Sequence, residues 1–418
     1  MTIGDIRVQG TARRRGTLRD YRLLFGAFVV SAAGDWLYKL ALPLLVLRLT
    51  GSALQTSVVY SLEYVPYLLF AMVGGVISDR YNRRLLLIFV QSAAAAVTGA
   101  LAILAWFNQY HLWAIYLAAF LLSTITPVYQ ATFLATVPST VPKERLSWAN
   151  SRMQAGQSAL DLVGPLLGGS AVAALGARWA LSLDSTSFAL SALAVALIAR
   201  VIADRPKRIP GTVRDDLNEA ARFVRSTPIL LWGAIAGAGS SLGLIMIEGN
   251  MLTYLVRYRH QSVAEVGVVF AALGAGALIG ALVAPRITRL TSCPGRVIIG
   301  SVLAGGGGTA MLLVLRQLLT IAAAWVVVGA STMVFIVTFF TLRHQLVPDH
   351  LLGRVVIITR VIAYVTLPVA PVIGGAVLSA TGTFAPVIAV AAAVQVSTAI
   401  IALFTPLRTT PVPATEPG

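Results

Sequence analysis

Six ionisable side chains interrupt stretches that are otherwise almost wholly apolar: Asp35, Lys39, Glu63, Asp161, Glu248 and Arg360. A charge in an apolar environment is expensive unless it meets a partner or water, so such residues mark ion, proton or substrate pathways. Asp35 lies about 20 Å along a helix from Arg22, at about 1.5 Å per residue, which is near the middle of a bilayer core about 30 Å thick. Lys39 follows one turn later on the same face. Glu63 falls at a similar depth, so a Lys39–Asp35 or a Lys39–Glu63 pair is feasible. A carboxylate caught between apolar surroundings and a cation can gain or lose a proton, as a proton-coupled site requires. For Asp161 and Glu248 a coupling role and a purely structural pairing both stand open. Asp184, followed by Ser185, Thr186 and Ser187, reads instead as a polar contact that holds helices together. At matching depth, Trp36, Tyr60, Tyr129, Met246, Phe335 and Tyr364 form either an adaptable apolar lining or ordinary packing.

The elements that must carry these residues follow from composition. Of 418 residues, 57% are hydrophobic and only 11% charged, where a soluble domain carries about 25% charged residues. Roughly 20 apolar residues cross a bilayer as a helix. Twelve such runs are present, at about 22–48, 54–78, 84–106, 112–137, 149–174, 179–201, 229–254, 263–285, 296–315, 319–342, 354–379 and 384–405. The expected fold is all-α and integral to the membrane. The expected organisation is a first six-helix bundle over 1–201 with a tail at 1–21, a cytoplasmic linker at 202–228, and a second bundle over 229–418 with a short tail. Within the linker, Asp215–Arg225 suits either an amphipathic helix or a solvated segment.

A net charge of +16 would suggest nucleic acid in a soluble protein. The distribution excludes that reading. Among 32 Lys and Arg, only Arg48, Arg178, Arg257, Arg259 and Arg316 fall on one side, and Lys39 and Arg360 within spans. The rest lie on the other side, which the positive-inside bias assigns to the cytoplasm and its anionic lipids. An even number of spans then places both termini there. Arg13-Arg14-Arg15 runs straight into a full-length span, so no cleavable signal is expected. The preponderance of Arg over Lys points to a GC-rich bacterial genome, and hence to the bacterial inner membrane. The single Cys293 excludes an intramolecular disulfide, and His111, His260, His344 and His350 show no zinc-like spacing. No metal, cofactor or catalytic residue is expected. Gly274 to Gly280 and Gly305 to Gly308 lie within apolar spans and read as helix packing, not phosphate loops.

An offset of 206 residues relates the two halves. It carries Gly74, Arg80 and Arg83 onto Gly280, Arg286 and Arg289, Val141-Pro142 onto Val347-Pro348, and Pro165, Gly168 and Gly169 onto Pro371, Gly374 and Gly375. One offset across three separated motifs indicates an internal repeat. Pro285 stands where Asp79 stands, so only the first copy can form a charged gate.

The turn Gly74-Gly75-Val76-Ile77-Ser78-Asp79-Arg80-Tyr81-Asn82-Arg83-Arg84 gathers one carboxylate and three guanidiniums between two spans. Asn82 falls where the chain reverses and is a residue that tolerates a left-handed backbone. This turn resembles the helix 2–3 signature of the major facilitator superfamily, Gly-x-x-x-Asp-Arg/Lys-x-Gly-Arg-Arg. It matches at Gly75, Asp79, Arg80, Arg83 and Arg84 and departs at Asn82. Gly164-Pro165-Leu-Leu-Gly168-Gly169 resembles the tail of the helix-5 motif of drug/proton antiporters, although Ser151 and Leu160 replace its upstream glycines; an ordinary kinked packing helix explains it as well. Gly34-Asp35-Trp36, Ala41-Leu42-Pro43 and the stretch Leu346 to Arg354 are similar to the macrolide-efflux and enterobactin-exporter branch.

The resemblance implies two pseudo-symmetric six-helix bundles and export of amphipathic small molecules, cationic or neutral, by alternating access with proton antiport. It implies a cytoplasmic gate of Asp79 and Arg80, whose carboxylate caps the start of helix 11 near Arg354, and a proton site at Asp35. Expected partners are the substrate, protons and membrane lipid, around a monomer. A siderophore or metabolite exporter is the alternative, with Lys39 and Arg360 holding an anion. An uptake symporter would share the fold. A non-transporting scaffold or a lipid scramblase is a further alternative, against which the intact gate charges weigh. No nucleophile–base pair suggests an enzyme.

Overall fold

The computed structural model describes residues 18–198, 213–291 and 293–409, which form fourteen α-helices and, among the described residues, no strand. The first half comprises α1 (Leu18–Thr50), α2 (Ala53–Arg80), α3 (Arg83–Trp106), α4 (Leu112–Thr140), α5 (Leu146–Leu175) and α6 (Ala177–Ala196). After α7 (Val213–Ser226) come α8 (Pro228–Thr253), α9 (Val263–Arg289), α10 (Pro294–Met311), α11 (Leu318–Leu346), α12 (Asp349–Tyr364), α13 (Ala370–Thr381) and α14 (Ala385–Leu403). Nine of these are long and apolar enough to cross a membrane. The helices α2 and α10 and the α12–α13 pair complete the twelve-crossing fold. The chain is a multi-pass membrane protein.

The expectation of one unbroken eleventh span is corrected. α12 stops at Tyr364 and α13 starts at Ala370 because Pro368 and Pro371 lack the amide hydrogens that would reach the Tyr364 and Leu367 carbonyls. Tighter turns take over, with Leu367 N donating to Tyr364 O at 3.0 Å and Val369 N to Thr366 O at 3.2 Å. The chain between the halves also has a definite form. Ala220 and Val224, one turn apart on α7, are buried against Ile229, Leu230 and Val355, while Asn218, Glu219, Arg222 and Arg225 stay exposed.

Asn82 differs from its expected role. Its backbone is extended (φ −64°, ψ 113°), and its Oδ1 accepts the Arg84 amide at 3.1 Å and the Leu85 amide at 3.2 Å. An N-cap needs that extended backbone to aim its side chain at the first free amides. The left-handed positions among non-glycine residues are Asn108 and His260 instead. Asn82→Ala is expected to lower stability by about 1 kcal/mol through loss of the cap, read as an earlier melting transition in detergent.

The halves meet on the side away from the described chain ends, hereafter the far face. There α5 crosses α9, and α13 packs on α2. A Cβ at Gly169 would lie 2.7 Å from the Val263 carbonyl oxygen, and one at Gly267 would collide with the Pro165 carbonyl, so bare backbones touch. Leu54 N donates to Ser379 Oγ across the halves at 3.3 Å. At mid-span, a Cβ at Gly274 would lie 2.5 Å from the Asp161 carbonyl oxygen. Towards the terminal face the pattern changes. There, among the described residues, α4, α11 and α12 pack mainly against helices of their own side of the molecule and α7. Among the described residues, contacts across the space between the halves gather at the far face and mid-span.

Candidate functional site

Lys39 marks the centre of that space. It is exposed, although it lies midway along α1, and its charge is within electrostatic reach of Asp35 on α1, Glu63 on α2, Asp161 on α5 and Glu248 on α8. A cation reached by carboxylates on four helices from both halves stands in the gap between them. Neither pairing expected for it forms at ion-pair distance among the described residues. Its Nζ instead lies over the Trp36 ring, 4.7 Å from the centroid, an arrangement that offsets part of its desolvation while leaving the ammonium free to move.

The carboxylates differ in their support. Asp161 accepts from Gln157 Nε2, one turn away on α5, at 2.8 Å. Glu63 is partly buried, and its Oε1 has no hydrogen-bond partner. The hydroxyls of Tyr38 and Tyr129, close to the same carboxylates, are likewise buried without partners. Buried polar atoms are ordinarily satisfied, and orphaned ones gathered around one cavity suit a polar group that arrives and leaves.

The helix-5 motif positions the site. A Cβ at Gly164 would strike the Trp36 indole, and one at Gly168 would stand 2.8 Å from the Trp36 carbonyl. One face of α5 therefore seats Trp36, on which Lys39 rests, while Gly169 on its other face admits α9. The motif works here by close approach: α5 runs unbroken through Pro165.

The expected aromatic lining divides. Trp36 and Tyr364 are partly exposed and Tyr60 is at the boundary with 9% exposure. Tyr129 packs against Phe133 in a tilted ring contact, 5.6 Å between centroids. Met246, 1% exposed, lies under α13 at Gly374, and Phe335 fills the notch at Gly237. Those two pack the second half and do not line the space.

Of the gate residues, the side chains of Gly75, Asp79 and Arg80 lie outside the described residues. Arg83 donates to the Ala135 carbonyl of α4 at 2.8 Å, and Arg84 to the Ala196 carbonyl of α6, so both tie α3 to its own half. Arg354, at the start of α12, pairs with Glu219 of α7 at 3.7 Å.

Sequence reasoning passed over two groups. Asp184, expected to be a structural contact, is 0% exposed and neither carboxylate oxygen has a hydrogen-bond partner. It lies against Gly34, within electrostatic reach of Asp35 and Tyr38. The other is Arg343. It sits one residue past the tenth apolar run as read from sequence, 319–342, and so counts there among loop charges. In the structure it is partly buried within α11, donating to Thr359 Oγ1 of α12 at 3.1 Å. Among the described residues, no group of three or more metal-binding side chains occurs.

The sequence profile described as Major Facilitator Superfamily matches residues 24–366, most of the chain. The chain belongs to the Major Facilitator Superfamily. It is 27% identical over 398 residues to the multidrug efflux pump Tap of Mycobacterium tuberculosis, covering 92% of this chain and 93% of Tap. It is 24% identical over 335 residues to the enterobactin exporter EntS of Salmonella typhimurium, covering 80% of each. Among solved structures, a bacterial homologue of the iron transporter ferroportin in an inward-facing state superposes with a TM-score of 0.73 at 17% identity, over 92% of this chain and 98% of that one. The nucleoside transporter NupG (D323A mutant) gives 0.75 at 12% identity, over 92% and 98%. At these identities the structural likeness shows the fold, that of a membrane transporter of this superfamily.

Proposed function

We propose that the protein is a proton-coupled exporter of amphipathic small molecules, cationic or neutral, working by alternating access in the bacterial inner membrane. One observation carries this reading: the exposed Lys39 lies within electrostatic reach of Asp35, Glu63, Asp161 and Glu248, carboxylates carried by four helices of both halves. Protonation and cation occupancy compete for the same carboxylates, which is how two fluxes become coupled. The termini face the cytoplasm in this reading, in accord with the basic bias of their side, so the described state faces inward. The relatives that pump drugs and export a siderophore support the outward direction and the small-molecule substrate.

Residues 1–201 and 229–418 act as the two rocking bodies, joined by the segment 202–228. On closing the terminal face, Asp79 with Arg80, Arg83 and Arg84 reaches the start of α12 at Arg354, where a helix amino terminus favours a carboxylate. Arg354 also pairs with Glu219 of α7, at 3.7 Å, which ties the start of α12 to the segment between the halves. The transporter acts as a monomer and uses no cofactor.

The test is uptake into proteoliposomes of a cationic dye and of a catecholate siderophore, each with and without an imposed pH gradient. Dye flux that rises with the gradient is the expected outcome. Equal flux with and without it removes the coupling, and flux of the siderophore alone replaces the substrate class.

A further inference from the structure

The acidic centre is not the only charged part of the cavity wall. Arg343 on α11 and Arg360 on α12 lie within Coulombic range of one another and of Tyr364. Neither has a carboxylate at ion-pair distance among the described residues, and the Nε of Arg343 is buried without a hydrogen-bond partner. Like charges repel, so two guanidiniums held together with no anion between them are a strained arrangement that packing must maintain. The packing is visible. Arg343 is clamped between Thr359, which accepts from it at 3.1 Å, and the Phe339 ring, 4.9 Å from its guanidinium carbon. Arg360 is exposed and lies over the Tyr364 ring at 5.7 Å. Tyr364 in turn is within electrostatic reach of Tyr64 on α2, a helix of the opposite half, so Arg360 lies on the side of α12 that faces that half.

We infer that Arg343 and Arg360 form an anion subsite for the substrate, taking an oxyanion such as a carboxylate or a catecholate-type phenolate on their forked donors. Planar guanidiniums suit planar oxyanions because two parallel N–H groups meet two oxygens. The cavity is then dipolar, with carboxylates about Lys39 at one end and the arginine pair nearer the terminal face. Its preferred substrates are amphiphiles carrying both charges. This inference rests on the central space being the substrate site, as proposed above, and narrows the substrate class.

The experiment uses a matched pair of dyes: rhodamine 123, a cationic methyl ester, and its free acid rhodamine 110, which keeps the cation and adds a carboxylate. Binding to the purified full-length protein is measured by fluorescence polarisation. The wild-type protein is expected to bind the acid about tenfold more tightly than the ester, the scale of one added hydrogen bond to a charged group. Arg360→Gln is expected to erase that preference while leaving ester affinity within about twofold. Arg343→Gln is expected to do the same, with Arg343→Lys and Arg360→Lys restoring part of it. Because Arg343 also ties α11 to α12, Arg360→Gln is the decisive variant should the first fail to fold. Equal affinities for the two dyes in the wild type, absence of binding included, overturn the inference. So does a preference that survives Arg360→Gln. A preference present in neutral detergent but lost in nanodiscs containing phosphatidylglycerol makes the pair a lipid-headgroup site and also overturns it. Gradient-driven transport of the ester with no preference for the acid would sink the subsite and leave the exporter reading standing.

Discussion

Asp35→Asn is expected to abolish proton-driven transport while sparing exchange. The substitution keeps the size and the polar contacts of the side chain but removes the group that can hold and release a proton. Asp35 is partly exposed to the central space and feels Lys39 one turn away. In the proposed mechanism it exchanges its proton with that space and competes there with the substrate charge. Removing a positioned proton-transfer group typically slows a reaction on the order of 100-fold or more, and that is the loss expected in dye flux under an imposed pH gradient. Dye–dye exchange at zero gradient requires no net proton movement and should stay within a few-fold of wild type, since Glu63, Asp161 and Glu248 remain to meet a cation. Wild-type flux under a gradient in this variant would refute the role given to Asp35.

A second large effect is expected at Gly267. Its Cα side faces the Pro165 carbonyl and lies close to Gly169, so a side chain there meets backbone that no rotamer can move aside. Overpacking typically costs about 1–3 kcal/mol, and rigid backbone on both sides puts Gly267→Val at the upper end. That cost falls only on the state in which α5 and α9 are in contact at the far face. An equilibrium between states shifts about tenfold for every 1.4 kcal/mol, so the variant should populate the far-face-open form at least tenfold more. Cys293 is the sole cysteine and is buried, so a cysteine introduced near residue 52 or 383 reports far-face opening by its rate of maleimide labelling. An unchanged rate in a folded Gly267→Val protein would show that the α5–α9 contact does not seal that face.

The two effects bear on different links. Asp35 concerns what the cavity exchanges, and Gly267 concerns which side the cavity faces.

Much of this arrangement was legible in the sequence for a simple reason. Helices that cross a bilayer must satisfy their backbone internally and present apolar side chains outward, so the spans follow from hydropathy alone. A mid-span charge such as Asp35 or Lys39 stands out for the same reason. Close-packing glycines at 164, 168 and 169 were also visible, although their partners were not.

What the chain order could not supply was the pairing of faces. Met246 and Tyr364 lie at matching depth in apolar runs, yet one is buried beneath α13 and the other is partly exposed. Arg343 sits at the end of an apolar run and counts there as a loop charge, because only the approach of α12 brings it beside Thr359 and Arg360. Asp184 reads as an ordinary polar contact, and only the crossing of α6 with α1 reveals that nothing meets its oxygens. Lys39 had two carboxylates within plausible range and took neither, settling over Trp36 instead. The residue types, their depths and the two-fold plan were determined by the sequence itself, since each is a local property of a helix in a bilayer. Which side chains meet across helices, and which face of the molecule is open, was decided by tertiary structure, since both depend on rotations between rigid helices that no single segment encodes.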